Sequence, residues 1–150
     1  MIMVSACLAG LNCCYDGKNA ASEEIQSLIK NGSAIPVCPE QLGGLSTPRT
    51  PSEITGGNGE DVLKGKAAVI TCDGKDVTRQ YIRGAQEVLK IAKISGARKA
   101  ILKRNSPACG FGEIYHKGKL VKGNGVCTAL LIRHGIEVVK EKPDCSGHNL

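Results

Sequence analysis

Cys7, Cys38 and Cys109 are the residues of this chain whose type and spacing point most directly to chemistry. A cysteine thiolate is both a nucleophile and a soft metal ligand. Cys7 closes the apolar run Met1-Ile2-Met3-Val4-Ser5-Ala6, and Cys38 closes Ala34-Ile35-Pro36-Val37. Cys109 lies in a short Pro/Gly loop just beyond Ala100-Ile101-Leu102. Each run reads as a buried strand, so each cysteine stands at or just past a strand's carboxyl end. In an open parallel α/β sheet those ends share one edge, and ligands bind there. Three thiols far apart in sequence are therefore expected to meet in one pocket. Three cysteine ligands in such a site would suit an iron–sulfur cluster with one iron left open. Zinc is the competitor, although the chain lacks the paired C-x-x-C spacing of zinc ribbons. For any one of these cysteines the alternative is a small buried hydrophobe.

Other side chains near the same strand ends carry a second tier of chemistry. Glu40 stands two residues beyond Cys38, behind Pro39, where a carboxylate can act as general acid or base. Its alternative is a solvated loop glutamate. Ser106, in Asn105-Ser106-Pro107-Ala108-Cys109-Gly110, either donates to a substrate or is an ordinary turn serine. Arg49, between Pro48 and Thr50, either holds an anionic or carbonyl-bearing substrate or pairs with Glu53. Cys13 and Cys14 are adjacent, so at most one is expected to face the pocket. Each reads as a loop filler or a thiol behind the ligands, with redox thiol and spare ligand as alternatives. Cys72, beside the Asp73-Gly74 turn, and Cys127, on a helix with Leu131 and His134, read as core positions. Cys145 and His148 have a metal-like spacing, against which stands a frayed terminus. Gly56-Gly57-Asn58-Gly59 lacks the Lys-Ser/Thr of a phosphate loop and reads as a flexible segment.

The elements that must position these groups follow from periodicity. Residues 1–6 read as the first strand and 7–18 as a loop. Ser22 suits a helix cap, Glu23 and Glu24 its first turn, and Ile25, Leu28 and Ile29 its apolar face, with Gly32 as the stop. Residues 33–37 form a second strand, and 38–59 a long functional loop. Residues 67–71 form a strand that turns at Asp73-Gly74, so that 75–77 pairs back on it. Tyr81, Ala85, Val88 and Ala92 fall on one face of a helix over 78–95, closed by Gly96. Residues 99–102 form a core strand, 125–134 a short helix, and 136–139 a last strand. The pattern is α/β: a single domain over residues 1–150 with a mostly parallel open sheet, flanking helices and a small hairpin.

Composition narrows the function classes. With 150 residues the chain is long enough to bury a core, and one Phe, three Tyr and no Trp leave that core to aliphatic residues. No apolar run approaches the ~18 residues of a membrane span. No secretory or lipidation signal is visible, so a cytoplasmic location is expected. In a reducing compartment eight cysteines point to metal or catalysis rather than to disulfide staples. The net charge of +6 favours an anionic partner such as a nucleotide or RNA. Arg98, Lys99, Lys103 and Arg104 read as a basic rim or a solvated face, without the aromatic platforms of a nucleic-acid site.

Several segments together resemble one family. They are Ser5-Ala6-Cys7-Leu8-Ala9-Gly10 with Cys13 and Tyr15-Asp16-Gly17, the long motif from Pro36 to Arg49, Asp76-Val77-Thr78, Ala100-Ile101-Leu102-Lys103, and Ser106-Pro107-Ala108-Cys109-Gly110. The chain from Val4 to about Val139 is similar to the domain-of-unknown-function 523 family, which includes the thiouracil desulfidases. The resemblance implies a [4Fe-4S] cluster held by Cys7, Cys38 and Cys109, with one iron free to accept the substrate's sulfur. It implies non-redox hydrolysis of a 2-thiouracil-like base to the oxo compound and hydrogen sulfide. Glu40 would be the acid/base, Ser106 the substrate-facing hydroxyl, and Cys13 the family's first-loop cysteine. The chain departs from the family at Cys14, where a basic residue is commoner, at Ala108, where serine is commoner, and at Asn105; these positions bear on the substrate.

The leading expectation is thus an iron–sulfur desulfidase acting on a small thiolated base. The alternatives are a metal-binding module that contacts RNA, and a thiol redox protein using Cys13 or Cys14.

Overall fold

The structure is a computed structural model that describes residues 1–141. Along the chain run β1 (Ile2–Ser5), α1 (Glu23–Lys30), β2 (Ala34–Val37), α2 (Pro39–Leu42), β3 (Ser52–Thr55), α3 (Gly59–Leu63) and β4 (Ala68–Thr71). They are followed by α4 (Thr78–Ser95), β5 (Lys99–Leu102), β6 (Glu113–His116), β7 (Lys119–Lys122), α5 (Val126–Arg133) and β8 (Glu137–Lys140).

The central sheet has four strands in the order β2-β1-β5-β8, every neighbouring pair parallel. Its strands are aliphatic on both faces, as a sheet covered on both sides must be. Met3, Ala100 and Leu102 join the larger core cluster, while Val4 and Ile101 on the opposite face join the smaller one. The larger cluster takes in α4 and α5, and the smaller takes in α1. Pro36, which lacks a donor, is tolerated in β2 because β2 is an edge strand. The Ser22 hydroxyl accepts from the Ile25 backbone N–H and caps α1. The anticipated face of α4 is buried: Tyr81, Ala85, Val88 and Ala92 are all in the core.

The long segment after Cys38 is not slack. It contains α2, β3 and α3, and β3 pairs antiparallel with β4. The expected return of 75–77 is present as a short antiparallel pairing on β4's other edge: Ile70 bridges Asp76, Thr71 N–H donates to the Lys75 carbonyl and Val77 N–H to that of Val69. Gly56-Gly57-Asn58-Gly59 is a built turn rather than a flexible one. The Asn58 side chain accepts from Asp61 N–H, and the Asp61 carboxylate accepts from Asn58 N–H. A second hairpin, β6–β7, has no counterpart in the sequence reading.

α2 packs against α4 through two glycines. A Cβ on Gly84 would lie 1.9 Å from the Pro39 carbonyl oxygen, and one on Gly43 would lie 2.0 Å from that of Gln80. Alanine for glycine inside a helix ordinarily stabilises by about 1 kcal/mol. At Gly84 the backbone clash reverses the sign, so Gly84→Ala is expected to destabilise by about 2 kcal/mol or more. A urea midpoint equal to or above the wild type would show that α2 and α4 can separate freely.

Candidate active site

Because β1, β2 and β5 are parallel, their carboxyl ends open on one side of the sheet. A cavity of about 720 Å³ lies there. Cys7, Cys38 and Cys109 all line it, together with Glu40, Arg49, Ser106 and Cys13. Each strand's exit is anchored differently. After β1 the chain enters a short 3₁₀ turn, Ala6–Ala9, and the Cys7 carbonyl accepts from the N–H groups of Gly10 and Ala20. After β2, Cys38 is the residue at which α2 begins, with Pro39 in its first turn. Beyond β5 the loop carrying Cys109 docks on the amino end of α5. The Pro107 and Ala108 carbonyls accept from Val126 and Cys127 N–H, which satisfies helix-start donors that have no side-chain cap. Thr128, fully buried, donates its hydroxyl to the Cys109 carbonyl at 2.8 Å. Gly125 is required at this joint, since a Cβ there would meet Ala108 backbone at 2.5 Å.

Five free thiols border the cavity: Cys7, Cys13, Cys14, Cys38 and Cys109. Cys13 accepts hydrogen bonds from the Cys38 and Cys7 thiols, which lowers its own pKa and raises those of the two donors. The Cys14 sulfur also accepts from Cys7, which lowers the Cys14 pKa. Both neighbours in the Cys13-Cys14 pair therefore face the cavity, where only one was expected. The loop turns sharply enough for this: Cys13 N–H bonds the Leu11 carbonyl, and Cys14 N–H bonds that of Lys18. Burial pushes the Cys109 thiol up to about 12. Among the described residues, no three His, Cys, Asp or Glu side chains are gathered closely enough to hold a single metal ion.

The Glu40 carboxylate sits 3.2 Å from Arg49 Nη2, with both side chains largely buried. Burial raises the Glu40 pKa, and the guanidinium opposes that rise. Arg49 does more than neutralise it. Nη2 donates to the Cys13 carbonyl at 2.8 Å, and Nη1 donates to Thr47 Oγ1 at 3.0 Å and to the Ser46 carbonyl at 3.3 Å. Its planar fork thus ties the first loop, the residue at the start of α2 and the segment before β3 to one another. Glu53, the sequence-local alternative, is occupied elsewhere: its carboxylate accepts from Lys117 and Gly118 N–H at the β6–β7 turn. Ser106 Oγ accepts from Cys109 N–H at 2.8 Å, so it shapes the turn while lining the cavity.

Three further residues belong to this neighbourhood. Ser5, 3 % exposed, donates to Cys109 Sγ at 3.8 Å and accepts from Lys103 N–H at 2.8 Å. Its only sequence signal is a hydroxyl closing an apolar strand. Tyr81 lines the cavity from α4, and burial raises its pKa. Tyr115 reaches the cavity from β6. Other expectations are corrected. Cys72 is exposed rather than core, because it sits outside the short β3–β4 ladder. Cys127 is buried as expected, but His134 is exposed at the end of α5. The basic residues around β5 do not form one rim. Arg98 precedes the strand, whereas Lys103 and Arg104 follow it, line the cavity and pair with Glu141. Cys145 and His148 lie outside the described residues. A second hollow, about 800 Å³, lies beside α4 among exposed Arg79 and Arg83 and carries no thiol.

The profile of the 2-thiouracil desulfurase family matches residues 2–143. The chain belongs to that family. It is 51% identical over 144 residues to the uncharacterised protein YbbK of Bacillus subtilis (strain 168), covering 94% of this chain and 95% of that protein. Its fold is similar to the solved structure of the [4Fe-4S]-dependent thiouracil desulfidase TudS, with a TM-score of 0.83 and 42% identity. That likeness covers 93% of this chain and 89% of TudS. In this member of the desulfurase family no described helix is long and apolar enough to cross a membrane.

The Arg49–Glu40 pair generates a prediction. Removing one partner leaves the other charge buried without compensation, which costs about 3 kcal/mol or more. Arg49→Met is expected to destabilise by that amount, and Arg49→Lys by a substantial part of it, because an ammonium cannot reach every acceptor of the fork. Denaturant unfolding of both variants is the measurement. Full stability in Arg49→Met would mean that the pair and its loop bonds contribute nothing net.

Proposed function

We propose that the protein is a [4Fe-4S]-dependent desulfidase that converts a 2-thiouracil-like base and water to the oxo base and hydrogen sulfide. The observation that carries this reading is the meeting of Cys7, Cys38 and Cys109 with a buried carboxylate in one cavity. The donor set fits such a group: the candidate ligands are all sulfur, which suits iron. The similarity to TudS supports the same assignment. When bound, the cluster supplies a thiophilic Lewis acid that polarises a C=S bond.

The protein's own residues do the rest. Cys7, Cys38 and Cys109 hold the group as thiolates. Glu40, whose pKa burial raises against the opposing Arg49 charge, takes the proton of the attacking water. It returns that proton to the sulfur and takes the second from the new hydroxyl as the C–S bond breaks and C=O forms, so both of water's protons leave with the sulfur as hydrogen sulfide and no electrons are exchanged with an outside donor. Arg49 keeps the carboxylate in place between turnovers. Ser106 accepts from Cys109 N–H and its hydroxyl also favours the Cys109 thiolate; it would turn that hydroxyl to the substrate from the cavity wall. Cys13 and Cys14 line the cavity beside the ligands.

Serine at Cys7, Cys38 or Cys109 is expected to abolish cluster assembly. Cys72→Ser should retain it without loss of stability, since that position is exposed. Cys127→Ser should retain it with reduced stability, since a hydroxyl is placed in the core. Iron and acid-labile sulfide analysis after anaerobic reconstitution reads this, and equal cluster loss from Cys127→Ser would mean that the triad is wrongly chosen.

Glu40→Gln should keep the cluster and lower turnover of 2-thiouracil roughly 10²-fold or more, with little change in substrate binding. Ser106→Ala should show the opposite balance, weaker binding with a smaller rate effect. Near-normal sulfide release from Glu40→Gln would remove the carboxylate from proton transfer.

A further inference from the structure

The chain has three tyrosines, one phenylalanine and no tryptophan, and all three tyrosines line the same cavity. Tyr81 is 4% exposed and counts among the core residues. Tyr15 and Tyr115 are 51% and 45% exposed. Tyr15 sits in a loop, whereas Tyr115 sits on a strand whose position is fixed.

The β6–β7 hairpin provides the fixing. Ile114 points inward and is 1% exposed, so alternation turns Tyr115 to the other face. Its cross-strand partner is Leu120, 46% exposed, which makes a small apolar face on the hairpin, of which Tyr115 lines the cavity. Lys117 and Gly118 both have positive φ, 52° and 76°, the signature of a tight two-residue hairpin turn. The Glu53 carboxylate accepts from both of their N–H groups, at 2.8 and 3.2 Å. His116 Nδ1 lies 3.2 Å from the Ile54 carbonyl oxygen. An aromatic ring is thus presented to solvent on a hairpin pinned at its tip, over a cavity lined by thiols and a carboxylate.

We propose that Tyr115 is the stacking platform that selects a flat heteroaromatic ring for this site, a specificity role that rests on the desulfidase reading above. A pyrimidine offers a ring-sized π-face, far larger than the planar N–C=S unit of an open-chain thioamide, and base–aromatic stacking is tolerant of ring substituents. Stacking is the same for the ground and transition states, so it acts through binding rather than through the rate of the chemical step. The phenol hydroxyl takes no part.

The test is equilibrium dialysis of 2-thiouracil and of uracil against the reconstituted protein, with sulfide release measured separately. Tyr115→Ala is expected to weaken binding of both bases about tenfold, on the scale of base stacking. Tyr115→Phe should bind as the wild type does. Matching iron content reports intact folding, and should Tyr115→Ala lose iron, Tyr115→Leu provides the non-aromatic comparison. Unchanged binding in the non-aromatic variant overturns the proposal, as does a loss in Tyr115→Phe equal to that in Tyr115→Ala. A wild type that binds neither base also overturns it. A wild type that binds both, loses them in Tyr115→Ala and releases no sulfide sinks the desulfidase reading and supports the platform.

Discussion

Parallel pairing of β1, β2 and β5 is the constraint on which everything else rests. Only when these strands run the same way do three cysteines separated by 31 and 71 residues leave the sheet on one side. An antiparallel neighbour would send one of them to the far edge, where no local adjustment could recover it. Parallel strands in turn demand crossovers, and the crossovers are the covering helices. The hydrophobic burial that stabilises the sheet and the placement of the thiols are thus one feature.

The strand ends were legible because each cysteine follows a run of aliphatic residues, and the parallel α/β pattern follows from those runs and the periodic faces of α1 and α4. The site's charge pairing was not legible. Arg49 stands nearer in sequence to Glu53 than to Glu40, yet it pairs with Glu40. The physical reason is burial, since a carboxylate removed from water needs a cation far more than one at the surface does. Glu53 meanwhile finds backbone donors that only the tertiary fold brings near. The β6–β7 hairpin is not legible in the sequence because β7 is exposed at every position, so Lys-Leu-Val-Lys carries no alternating apolar signal. Its turn is Lys-Gly rather than the Asn-Gly that advertises such a geometry. The place of Cys14 beside Cys13 on the cavity is not legible either, because adjacent side chains diverge in regular structure and the loop that holds them is not regular.

Arg49 shows how a small sheet keeps long connections in order. None of the segments it joins forms a ladder with the central strands. Their relative positions come from side-chain-to-backbone bonds converging on one guanidinium, together with the carboxylate that neutralises it. The close glycine contact between α2 and α4 complements this from beneath, so that Glu40 is held both at its carboxylate and through its helix.

The distribution of aromatic rings has an optical consequence. In most proteins, ultraviolet emission is dominated by tryptophan and mixes signals from many places in the fold. Here no tryptophan is present, the hydrophobic interior is mainly aliphatic, and every phenol borders a single hollow. Tyrosine emission is therefore an intrinsic spectroscopic gauge of that hollow. A chromophore seated among the thiols would quench it, without any label being attached.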